Sequence, residues 1–135
     1  MALCEKKTNK LWLLKALDRG TRKTVAWVLG ARDSSTFAKL YDKVKHLEKC
    51  VFYTDRWNAF AEILPAERHV AGKTHTVMIE RDNSNTRHHL GRFTRRTKVV
   101  SKKDFMVDYS IRIWRALQIL EIFAKFQTDF SSIFK

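Results

Sequence analysis

Two carboxylates stand out by their position in the chain. Asp55 follows directly on the apolar run CVFY at residues 50–53, so it falls at the C-terminal end of a strand, the edge of an α/β sheet where functional groups gather. From residue type alone, a turn or N-cap residue before Trp57 is the plainer reading. Glu80 lies in a helical segment whose neighbours one and two turns away, Thr76, Asn83, Ser84 and Arg87, form a polar face; by itself it is an ordinary exposed helix acid. Together, an Asp at a strand end and a Glu on a later helix are what a two-metal phosphoryl-transfer site requires, because hard Mg²⁺ takes oxygen ligands and a few carboxylates can hold two ions.

The charge around these acids is uneven. Between Arg68 and Lys103 ten Lys and Arg stand against Glu80 and Asp82, so this stretch carries 10 − 2 = +8 of the 27 − 14 = +13 on the whole chain. It is interleaved with Asn83, Asn85, Ser84 and several Thr, which supply neutral donors beside the point charges, a composition suited to phosphate contacts. The pI near 10.1 points the same way, to a polyanion, with an anionic membrane surface as the main competitor. His69, His75, His88 and His89 form no helical i, i+4 pair around a Glu and have no Cys nearby, which argues against zinc. Walker loops, nucleophile elbows and dinucleotide glycine fingerprints do not occur, so ATP use and Ser or Cys hydrolysis lack support.

The 135 residues, 44% hydrophobic with nine Phe and four Trp, suit one domain with a real core and exclude a disordered basic tail. Cys4 and Cys50 make neither a metal pair nor a disulfide framework. The charged start MALCEKKTNK is no secretory signal, and no apolar run reaches the ~18–20 residues that span a bilayer, so a soluble, cytoplasmic protein is expected.

These residues need elements to hold them. Apolar runs at 11–17 (LWLLKAL) and 24–29 (TVAWVL), separated by Asp18, Arg19 and Gly20, predict a hairpin. Asp33-Ser34-Ser35 offers an N-cap for a helix over about 34–48, whose stripe is Phe37, Leu40, Tyr41, Val44 and Leu47. The run at 50–53 predicts a strand parallel to its neighbour. A short helix over 58–64 stops at Pro65, a further short strand is expected near 68–71, and helix resumes from Thr74. The segment THTVMIERDNSNTRHHLGRF has weak helix formers in its middle, so its polar residues are hard to explain as packing. Ile111, Trp114, Leu117, Leu120, Phe123, Phe126 and Phe130 keep a helical rhythm, which predicts one amphipathic C-terminal helix packed on the sheet.

The strings ALDRGTRKTVAWVLGARD, FYTDRWNAF, MVDYSIRIWRAL and, most specifically, IERDNSNTRHHLGRFTRRTKVVSK resemble the transposases of the IS-one insertion-sequence family, DDE recombinases with an RNase H-like fold. The resemblance implies a single catalytic domain over 1–135, an α/β fold with a mixed sheet flanked by helices. It makes Asp55, in Thr54-Asp55-Arg56-Trp57, the second acidic ligand and Glu80, with 24 residues between, the third. Both would hold Mg²⁺, or Mn²⁺ in its place. Arg87, seven positions after Glu80 and so about two turns away on the same face, matches the basic residue beside the acidic triad, expected to hold a DNA phosphate. Arg81, Asn83, Asn85, Arg92, Arg95, Arg96 and Lys98 become expected DNA contacts, and His75 lies near the site.

In the family the first acid lies on the opening strand, in an Asp-Glu pair upstream of this Met1. The chain is therefore expected to lack all or most of that strand, with Met1 to Glu5 supplying at most its tail and Asp18 serving as a turn residue. The expected activity is cutting and joining phosphodiesters at element ends and target DNA by two-metal transfer, impaired here, in an oligomeric complex at the bacterial nucleoid and not at a membrane. The alternative is a DNA-binding remnant without catalysis. An unrelated RNA-binding protein is the weakest reading, since the aromatics follow core periodicity instead of lining a sheet for stacking.

Overall fold

The computed structural model describes residues 2–6, 9–93 and 103–133, with the backbone alone for 2–6, 9 and 10. The chain is mixed α/β and divides into two compact units, Met1–Val100 and Ser101–Lys135. Among the described residues no helix is long and apolar enough to cross a membrane.

The first unit opens with three antiparallel strands in the order β1 (Ala2–Lys6), β2 (Asn9–Leu17) and β3 (Thr24–Gly30). The expected hairpin is the β2–β3 pair, in register from Trp12 opposite Gly30 to Leu17 opposite Thr24, with an irregularity between Ala16 and Leu17. Its turn is fixed by Asp18, whose carboxylate accepts from the backbone N–H groups of Gly20 and Thr21 and from the Thr21 hydroxyl. Those bonds hold the Asp18 carboxyl below the usual aspartate range, the Thr21 hydroxyl contributing most.

Because side chains alternate along a strand, the hairpin has two inner surfaces. Leu14, Ala16, Ala26 and Val28 pack with Phe37, Leu40, Val44 and Leu64 into one core beneath α1 (Ser34–Val44). Leu13 and Lys15 belong to the other surface, where Lys15 meets a later helix. The Asp33 cap is as expected, its carboxylate accepting from Thr36 N at 2.8 Å. The helix ends at Val44, short of 48, because Leu47 N turns to Val44 O three residues back and Arg68 donates to the carbonyls of Leu47 and Glu48.

After α1 come β4 (Phe52–Thr54), α2 (Asn58–Ile63) and β5 (His69–Ala71), with β4 and β5 parallel and Phe52 opposite His69. Where a single mixed sheet is expected, the described residues form two separately hydrogen-bonded sheets. β4 and β5 are only three residues each and complete their ladders with one another, while β1 is bonded to β2 alone. A 3-10 turn at Lys73–His75 then leads into α3 (Val77–His89).

The second unit holds α4 (Asp104–Ala116) and α5 (Leu120–Ser132), two helices where the unbroken apolar rhythm predicts one. The break lies at 117–119, where Gln118 N and Ile119 N bond to carbonyls three residues back and Ile119 goes extended. Val107 and Ile111 on α4 are buried, whereas no residue of α5 is. The predicted burial of the terminal apolar stripe therefore stops with α4.

Candidate active site

Parallel strands end at the same edge, and this decides where the two acids go. β4 delivers Asp55 one residue past its end, and the ladder continues there through Gly72 N donating to Thr54 O at 2.9 Å. The chain leaves β5 at that same edge through the 3-10 turn and enters α3, whose first turn carries Glu80. The geometry is held across the strands by Thr54 Oγ1 and His69 Nε2 at 2.6 Å. The Tyr53 ring lies 4.9 Å from the His75 ring and 4.8 Å from the Arg19 guanidinium, tying the β2–β3 turn to the same region.

Asp55 is exposed, and one of its oxygens accepts from Trp57 N at 3.1 Å, so the turn role read from residue type is present in the structure. Trp57 in turn meets Phe60 edge-on at 5.1 Å, and Arg32 lies 5.1 Å from Trp12 and 5.4 Å from Trp57. Glu80 is exposed on α3. Among the described residues no group of three His, Cys, Asp or Glu side chains is placed to hold a metal ion.

α3 has a clear inside and outside. Its inner stripe runs through Ile79, Asp82, Asn83, Thr86 and Leu90, while Glu80, Arg81, Ser84, Asn85, Arg87, His88 and His89 are exposed. Arg87 follows Glu80 on the outer side, about 10 Å along the axis at the usual rise. The His88 and His89 rings meet edge-on at 4.9 Å. Arg92 is half-buried in a 3-10 turn at Gly91–Phe93. Arg95, Arg96 and Lys98 lie outside the described residues.

The polar middle of α3 does have a packing explanation. Lys15, a lone charge inside an apolar strand, has a side chain only 3% exposed and is ion-paired and hydrogen-bonded to Asp82 Oδ2. It also donates to Thr86 Oγ1 at 2.8 Å, while Thr24 Oγ1 donates to Asp82 at 3.1 Å. Thr86 Oγ1 donates back to Asp82 O at 2.8 Å. Buried polar groups demand such partners, and here they fasten α3 to the hairpin. Asn83 Oδ1, on the same stripe, is buried with no hydrogen-bond partner among the described residues. Sequence reasoning passed over Lys15 and Asp82. The available signal was a single Lys in LWLLKAL, which had to point either to water or to a buried acid.

The sequence comparisons fall on a transposase of an insertion element: a family model described as IS1 transposase matches residues 2–118. The chain belongs to the IS1 transposase family. It is 38% identical over 96 residues to the insertion element IS1 protein InsB of Shigella flexneri, a match covering 71% of this chain and 73% of that protein. It is 34% identical over 96 residues to the IS1 2 protein InsB of Escherichia coli strain K12, where the same 71% of this chain covers 58% of the relative. The chain thus spans little over half the length of that relative. No solved structure matches it.

Proposed function

We propose that this chain is a DNA transposase domain that acts on phosphodiesters at an insertion element's ends, with Asp55 and Glu80 as acidic ligands of Mg²⁺. The reading is supported by one observation: β4 and β5 run parallel, so Asp55, just past β4, and the segment that leads from β5 into α3, whose first turn carries Glu80, leave the sheet at the same end. Three antiparallel strands followed by a helix and two parallel strands support an RNase H-like assignment.

Two Mg²⁺ ions, when bound, supply a more acidic water or 3′-OH and a stabilised leaving oxygen. The described residues offer two carboxylates toward such a site, which is a partial donor set. The chain's own contribution is to bind and orient DNA. Arg87 and Arg81 on the exposed side of α3 take backbone phosphates near Glu80, and Asn85 supplies a neutral donor. Arg92, Arg95, Arg96 and Lys98 continue the basic stretch beyond the helix. One Asp55 oxygen already accepts from Trp57 N, which favours a second reading, DNA binding without cleavage.

Purified chain mixed with DNA ending in the element's terminal repeats, with Mg²⁺ or Mn²⁺ added, tests both. Cleavage that disappears in Asp55→Ala and Glu80→Ala supports the catalytic reading. Binding weakened by Arg87→Ala, without cleavage, supports the second. Absence of any salt-sensitive DNA binding overturns both.

A further inference from the structure

The helix α5 presents an apolar seam that the transposase family match does not reach, since that match ends at residue 118. Ile119, Phe123, Phe126, Phe130 and Ile133 recur at steps of four, three, four and three, the spacing that keeps one edge of a helix facing a partner helix. Their exposures are 50, 40, 48, 50 and 75%, and the Phe126 and Phe130 rings stack at 5.8 Å along that edge.

We propose that this seam is the surface through which a second copy of the chain binds, helix against helix about a two-fold axis. The charge on α5 excludes the obvious rivals. Glu121 and Asp129 stand against Lys125, so the helix carries 1 − 2 = −1 within a chain of +13. A nucleic acid or an anionic bilayer finds no basic face there, which an interfacial helix needs. Two copies that repel each other elsewhere meet the least repulsion at this element.

The area is also sufficient. Side chains of this size, about half exposed, offer on the order of 500 Å² per copy, so about 1,000 Å² for the pair, which is where specific interfaces begin. Phe126 is the middle residue of the five. In either sense of a two-fold pairing it meets its own copy, so one substitution strikes the contact twice.

Sedimentation equilibrium of the purified full chain, without DNA or divalent metal and over about 1–100 μM, reads the association directly. The expected result is a monomer–dimer equilibrium that Phe126→Glu weakens at least about tenfold. Thr128→Glu, on the opposite side of α5, leaves it unchanged. Because no residue of α5 is buried, Phe126→Glu keeps the remaining fold, which circular dichroism verifies. A chain that stays monomeric throughout, or a dimer indifferent to Phe126→Glu, overturns the proposal. A catalytically dead protein returns the same answer, so this result stands apart from the proposed DNA chemistry.

Discussion

Lys15 illustrates how a single residue can fix the setting of others. Its ammonium is withdrawn from water and met by Asp82 and Thr86, and Thr24 donates to the same Asp82 carboxylate. Removing one partner of such a pair leaves a charge buried without compensation, which costs about 3–5 kcal/mol. Lys15→Met and Asp82→Asn are each expected to lower unfolding free energy by about that amount in urea titrations. The double variant Lys15→Met with Asp82→Leu is expected to recover most of it, because neither charge then remains. A double variant that simply sums the two losses contradicts this account. At the same scale, Asp55 was legible as a strand-end residue because the apolar run stops just before it. Lys15 and Asp82 are 67 positions apart, and nothing local in either sequence neighbourhood names the other.

At the scale of elements, α1 was the most readable part of the chain, since cap and stripe are local patterns. Hydrogen bonds from Thr36, its side chain first and its backbone N–H next, hold the Asp33 carboxyl below the usual aspartate range. A lowered folded value means that the cap's contribution is complete above the unfolded aspartate value and is lost as pH falls through the folded one. Thermal unfolding followed from neutral pH into the acid range should therefore show a steeper decline for this chain than for Asp33→Asn. Equal acid profiles would refute the assignment. The joint between β3 and α1 is tight as well: a Cβ on Gly30 would lie 2.6 Å from Thr36 Oγ1 and 2.8 Å from its methyl, and Thr36 is buried. Gly30→Ala should cost about 1–3 kcal/mol, measured by denaturant titration. What sequence could not give at this scale was the break before α5, because the apolar rhythm passes through 117–119 uninterrupted while the backbone there tightens into three-residue bonds. Nor could it give the split of the strands into two sheets. Pairing is non-local, and a three-residue run such as β4 or β5 carries no signal for which neighbour will complete its ladder.

For the molecule as a whole, thirteen excess positive charges are a cost to folding as well as an attraction for polyanions. Raising salt from about 0.01 to about 0.15 M shortens the screening length from about 30 to about 8 Å. The melting temperature of the free chain is expected to rise over that range, while affinity for duplex DNA falls steeply as released counterions lose their advantage. A melting temperature that drops with salt would mean that attractive pairs outweigh the self-repulsion. One feature of the sheet edge also gives the molecule an optical gauge. The carboxylate of Asp55 accepts the backbone N–H of a tryptophan whose indole is in contact with a guanidinium and a phenyl ring. Any cation or donor that engages Asp55 draws charge away from that bond and shifts the surroundings of the indole. Trp57 emission, isolated by comparison with Trp57→Phe, is therefore expected to change when Mg²⁺ or Mn²⁺ is added and not to change in Asp55→Ala; emission indifferent to both metals contradicts it.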